Sequence, residues 1–259
     1  MSADAESRWP AVARDYVQAI ADTKLLLGQR YGEWMLKGPN LEDDISGASN
    51  GQDEIGQVRQ LFRLLEKQGV DRDWLETDRE PAEYANAQPL DEEAEAWPTF
   101  MVQVALADRA AWLLLDAIQH EDFTGMVQKM GEDEYFHLEH HDARLETLAV
   151  DQPEAVEAAL ERYFPGILAF IGPATHGAGE DPLVEAGFTD RAVAEIRGAF
   201  REHYVDLFAG TDVTVPALTD DVPDPDEWDE KRRRSGDGHI DRSVADQLQG
   251  VTNREYVIE

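Results

Sequence analysis

Apolar residues recur along most of this chain at intervals of three and four, the period of helices with one buried side. From about Trp9 to Met35 the inward stripe reads Val12, Tyr16, Ile20, Leu27 and Tyr31, and Gly38-Pro39 stops it. From about Leu41 to Lys67 the inward positions are Ile45, Ile55, Val58, Leu61, Phe62 and Leu65, with Gly69 just beyond the end. Asp71 to Pro98 reads as a short helix and an acidic connection. Phe100 to Ile118 is apolar on nearly all sides, the mark of a helix at the centre of a bundle. Phe123 to Leu148 predicts a fourth long helix with one polar face, and Pro153–Tyr163 and Thr189–Phe208 predict two shorter ones outside the main four.

Strand signals are sparse. Val213-Thr214-Val215 predicts one short extended piece ended by Pro216, and Thr219 to Gly238, rich in Asp, Pro, Gly and Arg, reads as a loop or disordered tail. Ser243 to Glu259 predicts a weak terminal helix. The expected class is all-α: a four-helix bundle with additional C-terminal helices over 1–210, then an acidic, Pro/Gly-rich tail over 211–259.

Composition changes this picture mainly through charge. Asp and Glu number 55 against 23 Lys and Arg, a formal charge of −32. Such a surface repels itself, and concentrated salt relieves the repulsion by shortening the screening length to roughly 3 Å near 1 M. A salt-rich, halophilic cytoplasm is therefore expected. Nucleic acid is excluded as a partner, since phosphate binding needs a basic face. The one basic run, Lys231 to Arg234, reads as local charge balance. The absence of cysteine removes disulfides, thiolate zinc sites and thiol catalysis. Met1 to Trp9 lacks a basic region followed by an apolar run, so no secretion signal is read there. No apolar stretch is long enough to span a membrane. The expected location is cytoplasmic.

Chemistry enters through carboxylates at helical spacing. A di-iron site in a four-helix bundle takes one carboxylate from each of two helices and Glu-x-x-His from each of the others, the i and i+3 side chains sharing a face. Glu134-Tyr135-Phe136-His137 on the fourth helix completes that motif, although a chain this acidic yields roughly one such spacing by chance. On the second helix Glu54 and Gln57 have the same spacing, with an amide, a weaker iron ligand, in place of imidazole. The remaining helices offer Glu33 and Asp108. Asp108 lies in such apolar surroundings that it needs a partner. A metal would serve, as would Arg109, Arg59 or a hydrogen bond between helices. His140 and His141 follow on the fourth helix, and neither is placed among the ligands.

Several of these stretches resemble one family. Leu27-Gly28-Gln29-Arg30-Tyr31-Gly32-Glu33-Trp34, then Gly38-Pro39 and Leu41-Glu42-Asp43-Asp44-Ile45, are similar to the opening of the ferritin-like A/C subunits of phenylacetyl-CoA epoxidase. Asp53 to Arg59, Asp78-Arg79-Glu80, Ala107-Asp108 and Phe136 to His140 extend the likeness, which fits the C subunit best. The resemblance implies a complex that epoxidises the aromatic ring of phenylacetyl-CoA during phenylacetate degradation. It implies di-iron in a catalytic A-type partner, a structural C-type subunit with a full or vestigial site, and NADPH, flavin and iron–sulfur on a separate reductase. Carried onto this chain, the ligand positions are Glu33, Glu54, Asp108, Glu134 and His137, with Gln57 at the sixth. Gln57 departs from the catalytic motif and favours the C-type role. The alternatives are the catalytic oxygenase itself and a ferritin-like metal-binding protein without oxygenase activity. The later helices are expected to supply an apolar interface to the partner.

Overall fold

A computed structural model describes residues 9–177, 179–219 and 222–251 of the 259. The leader reading at Met1 to Trp9 falls almost wholly outside these residues, as does the end of the terminal-helix reading beyond 251. Four long helices form the body: α1 (Ala11–Trp34), α2 (Leu41–Lys67), α4 (Trp97–Asp116) and α5 (Thr124–Asp151). Between the second and third of these lie α3 (Arg72–Glu76) and two short 3-10 turns, in the stretch read as a short helix plus connection. After them come α6 (Pro153–Ile171), α7 (Pro182–Glu185), α8 (Val193–Leu207) and α9 (Arg242–Leu248). The fold is an all-α ferritin-like bundle.

Local chemistry explains the boundaries. Asn40 caps α2 by accepting from the Asp43 amide, and Glu42, Asp43 and Asp44 meet the positive end of the helix dipole. Gly28 and Gly51 let α1 and α2 approach closely: a Cβ on Gly28 would sit 2.7 Å from Ile55 Cδ1, and one on Gly51 would sit 2.9 Å from Tyr31 Cβ. Helix α4 is buried along most of its length and packs against α1, α5, α6 and α8, as its all-round apolarity predicts.

Three expectations need correction. Helix α6 does not stop at Tyr163 but runs through Pro165 to Ile171. Proline inside a helix costs roughly 3 kcal/mol. Here Phe164, Ile167, Leu168, Phe170 and Ile171, all buried, outweigh that penalty. Val213-Thr214-Val215 forms no strand: among the described residues no strand pairs with it, and the Thr214 amide donates to Glu157 on α6 instead. Ile45 is not inward but exposed, because the inner side of the first turns of α2 is taken by Asp43 and Asn50.

The segment read as loop or disordered tail carries a two-residue antiparallel pair, β1 (Trp228–Asp229) with β2 (Arg234–Ser235). Its basic run does more than balance charge. Arg233 is buried, donates to the Phe170 and Ile171 carbonyls at the end of α6, and lies 5.0 Å over the Tyr16 ring. Arg234, also buried, binds both oxygens of Asp91 and the Asn86 and Gly238 carbonyls. Arg197 of α8 holds the Leu168, Gly172, Thr219 and Val222 carbonyls. Helix ends leave carbonyls without intrahelical partners, and guanidinium groups are matched to them.

Candidate functional site

Each of the four long helices sends one or more polar side chains into the middle of the bundle. Glu54 comes from α2, Asp108 from α4, and Glu134 and His137 from α5; all four are buried. Each can offer one ligand atom, and those four atoms lie within 4.8 Å of one another, so the group could hold a metal ion.

The contribution of α1 is Lys24. Its ammonium is fully buried and lies 2.6 Å from Glu134 Oε1, 3.2 Å from Glu54 Oε2 and 3.4 Å from Asp108 Oδ1. The sequence reading missed this residue, although a signal was there. The inward stripe of α1 skips from Ile20 to Leu27, and Lys24 fills the missing inward position between them. A lysine there would be strongly destabilising unless it were paired.

The other candidates are placed as follows. Glu33 does not join the cluster. It lies at the end of α1, where its carboxylate takes 2.6 Å and 3.1 Å hydrogen bonds from Arg30 and Gln29. Gln57 is buried one turn beyond Glu54, and neither its amide oxygen nor its amide nitrogen has a partner among the described residues. The partner of Asp108 is neither arginine considered above. Arg109 binds Asp142 at 2.9 and 2.8 Å, and Arg59 is exposed. Lys24 and His137 face Asp108 instead.

Both histidines after the motif have defined places. His141 is buried, with Nε2 2.5 Å from the Tyr31 hydroxyl and Nδ1 3.8 Å from Asp108. His140 stays nearer the surface, 3.4 Å from Asp43.

Electrostatics follow from burial. Burial opposes the Lys24 ammonium, but Glu134, Glu54 and Asp108 more than compensate and hold its pKa above the ordinary lysine range. Burial likewise opposes a charged His137, yet its contacts with Asp108 and Glu54 raise it to about 11. Asp108 is held well below the usual carboxylate range against burial, by Lys24 and His137. Glu134 moves the other way: burial, aided by Asp108, pushes it up to about 8. Glu54 is raised by burial and by Asp108, with Lys24 and His137 opposing. Burial depresses His141 to about 3 and keeps it neutral. Burial thus favours a proton on Glu134, while Lys24 and His137 are held as cations facing Asp108 and Glu54.

This arrangement defines a ferritin-like helical protein with a buried carboxylate–histidine cluster around an internal lysine. Residues 3–253 match the profile of the family described as phenylacetic acid catabolic protein, and the chain belongs to that family. No curated protein matches the chain. Among the described residues no helix is long and apolar enough to cross a membrane.

Proposed function

We propose that this chain is the C-type, mainly structural subunit of a multicomponent di-iron monooxygenase that epoxidises the ring of phenylacetyl-CoA in the cytoplasm. One observation carries the reading: the Lys24 ammonium lies 2.6–3.4 Å from all three carboxylates of the cluster. Two irons need about six ligands, including a carboxylate from each single-ligand helix and imidazole in both motifs. Here α1 supplies a cation where a carboxylate is needed, and Gln57 stands where the second imidazole would be. Metal and ammonium would compete for the same oxygen lone pairs, so the residues present do not suit a di-iron centre. The cluster keeps the charge pattern of such a site while Lys24 neutralises it from within. Oxygen activation then falls to an A-type partner with the full ligand set, and electrons reach it from NADPH through a flavin and iron–sulfur reductase.

Anaerobic reconstitution with ferrous iron, then air and metal analysis, tests this reading. The expected result is no stoichiometric iron and no diferric absorption band. A full di-iron complement on the wild-type chain would overturn the reading and make this subunit the oxygenase. Lys24→Glu should raise iron uptake, because it removes the competing cation and restores a carboxylate on α1.

A further inference from the structure

The apolar faces of α6 and α8, where an interface was expected, are covered within the chain: Phe164, Ile167, Phe170, Ile196 and Phe200 are all buried. Exposed large apolar residues lie on α5 at Tyr135, Phe136 and Val150, on α8 at Val205, and most densely around the turn from α1 into α2. Met35, Leu36, Leu41 and Ile45, around the turn from α1 into α2, are 51%, 80%, 66% and 61% exposed. These four large apolar side chains open to water fall within eleven residues of sequence, Leu41 and Ile45 one helical turn apart on α2.

Two features say that this cluster is built. Leu36 has a φ of +63°, the left-handed region where glycine is normal and a leucine is strained. Packing repays little of that strain, since among the described residues this is the most exposed large apolar side chain. Beneath the turn is a rigid aromatic platform. Trp34 stacks on Phe100 at 4.7 Å, and Trp97 packs 5.9 Å from Trp34 and 5.6 Å from Phe100. Apolar side chains on a stiff base lose little freedom on docking.

Charge selects the occupant. Glu42 and Asp44 flank the cluster, and the one cation in the turn, Lys37, is already paired with Glu93, on a chain of net charge −32. A two-fold contact between copies would place the same acids against each other. An apolar pocket edged with Lys and Arg on a different chain complements both features.

We propose that the α1–α2 turn, with Met35, Leu36, Leu41 and Ile45, is the face on which this subunit docks a basic-rimmed apolar pocket of its catalytic-type partner. The inference rests on the structural-subunit reading above and adds the surface to it.

The test is co-expression with a family member from the same cell that carries Glu-x-x-His on both motif helices. Complex formation is read by size exclusion with light scattering and by calorimetry. Leu36→Gly is the discriminating variant, since glycine relaxes the backbone while deleting the contact. Its melting temperature should hold or rise, while affinity falls about tenfold or more, the scale of an interface hot spot. Ile45→Ser should weaken the complex without unfolding the chain, and Glu42→Lys should weaken it most at low salt. Unchanged affinity in both Leu36→Gly and Ile45→Ser would overturn the docking face and leave the subunit reading standing. A dimer of this chain alone, split by Ile45→Ser, would overturn the choice of occupant. No complex with the wild-type chain would overturn the subunit reading, and the docking face with it.

Discussion

Two of the buried groups of cations in this molecule are neutralised in opposite ways. In the bundle centre Lys24 is surrounded by ionisable carboxylates, so its charge is balanced by groups that can themselves gain or lose protons. Between α6 and the C-terminal segment, Arg197 and Arg233 lie mainly against backbone carbonyls, whose dipoles cannot titrate. The first arrangement is a coupled charge set, in which removing one member changes all the others. The second is a set of directional hydrogen bonds that fix a segment in place. Lysine, a compact point charge, suits the first; the planar, five-donor guanidinium suits the second.

The sharpest way to break this contrast is to delete the lysine. Lys24→Ala should cost about 3–5 kcal/mol of unfolding free energy, because it leaves buried carboxylates without their cation. Lys24→Met should cost nearly as much despite filling the space. Adding Glu54→Gln and Glu134→Gln to Lys24→Met should recover most of the loss, since the charges then leave together. Urea unfolding checks all three. Additive losses in the combined variant would show that the lysine acts by packing alone.

The pH dependence of stability should belong to the centre and not to the arginines. His137 rises from 6.5 to about 11 on folding, and Glu134 from 4.5 to about 8, so the folded chain binds more protons than the unfolded one across those intervals. Stability from these groups is complete below their unfolded pKa values and is lost as pH rises through the folded ones. His141, depressed to about 3, works in the opposite sense and only below about 6.5. The urea midpoint should therefore fall steadily from pH 6.5 towards 11. His137→Gln should flatten the upper part of that decline. A midpoint constant over this range would contradict the charge assignment.

How much of this was readable in the sequence depends on the kind of force involved. Helix positions were legible because burial repeats with the helical period: α2 spans Leu41–Lys67 both as predicted and as observed. Glu134 and His137 share a face through their i,i+3 spacing, but their meeting with Glu54 and Asp108 around one point was implied by the family resemblance and not by periodicity. Lys24 was legible only as a gap in the apolar stripe of α1, because acids and imidazoles mark a metal site and a cation among them does not. Ile45 was misplaced because periodicity shows that a residue could face inward, not whether a polar neighbour such as Asp43 has taken the inner side. Arg233 was missed because its partners are main-chain carbonyls at the end of α6, and Arg234 because its partners, Asp91 and the Asn86 and Gly238 carbonyls, lie in irregular segments; neither leaves a mark in a periodic pattern.

The arginine group should show a smaller and more local effect than the lysine. Arg233→Ala removes charged hydrogen bonds to the Phe170 and Ile171 carbonyls, each worth about 1.5–3 kcal/mol. Gly172 has φ +123°, and a Cβ there would sit 3.1 Å from Arg233 Nη2, so the guanidinium packs directly on this glycine. Hydrogen exchange should quicken in residues 222–248 and in the last turn of α6, while α2 and α5 remain protected. Equal loss of protection in the bundle would mean that the two regions unfold as one unit.

Exposed ion pairs mark the lower end of the scale. Arg162–Glu92 and Lys37–Glu93 are about half exposed and should each contribute within about 1 kcal/mol, so Arg162→Ala should be close to neutral. Salt separates these pairs from the buried centre. Raising salt towards 1 M screens the repulsion of a −32 surface and should stabilise the wild-type chain, while cancelling whatever the exposed pairs add. The cost of Lys24→Ala should stay nearly constant over the same range, because no ions reach a fully buried group. If that cost shrank with salt as the surface pairs do, the bundle centre would have to be open to solvent, and the distinction between the two buried cation groups would rest on geometry alone.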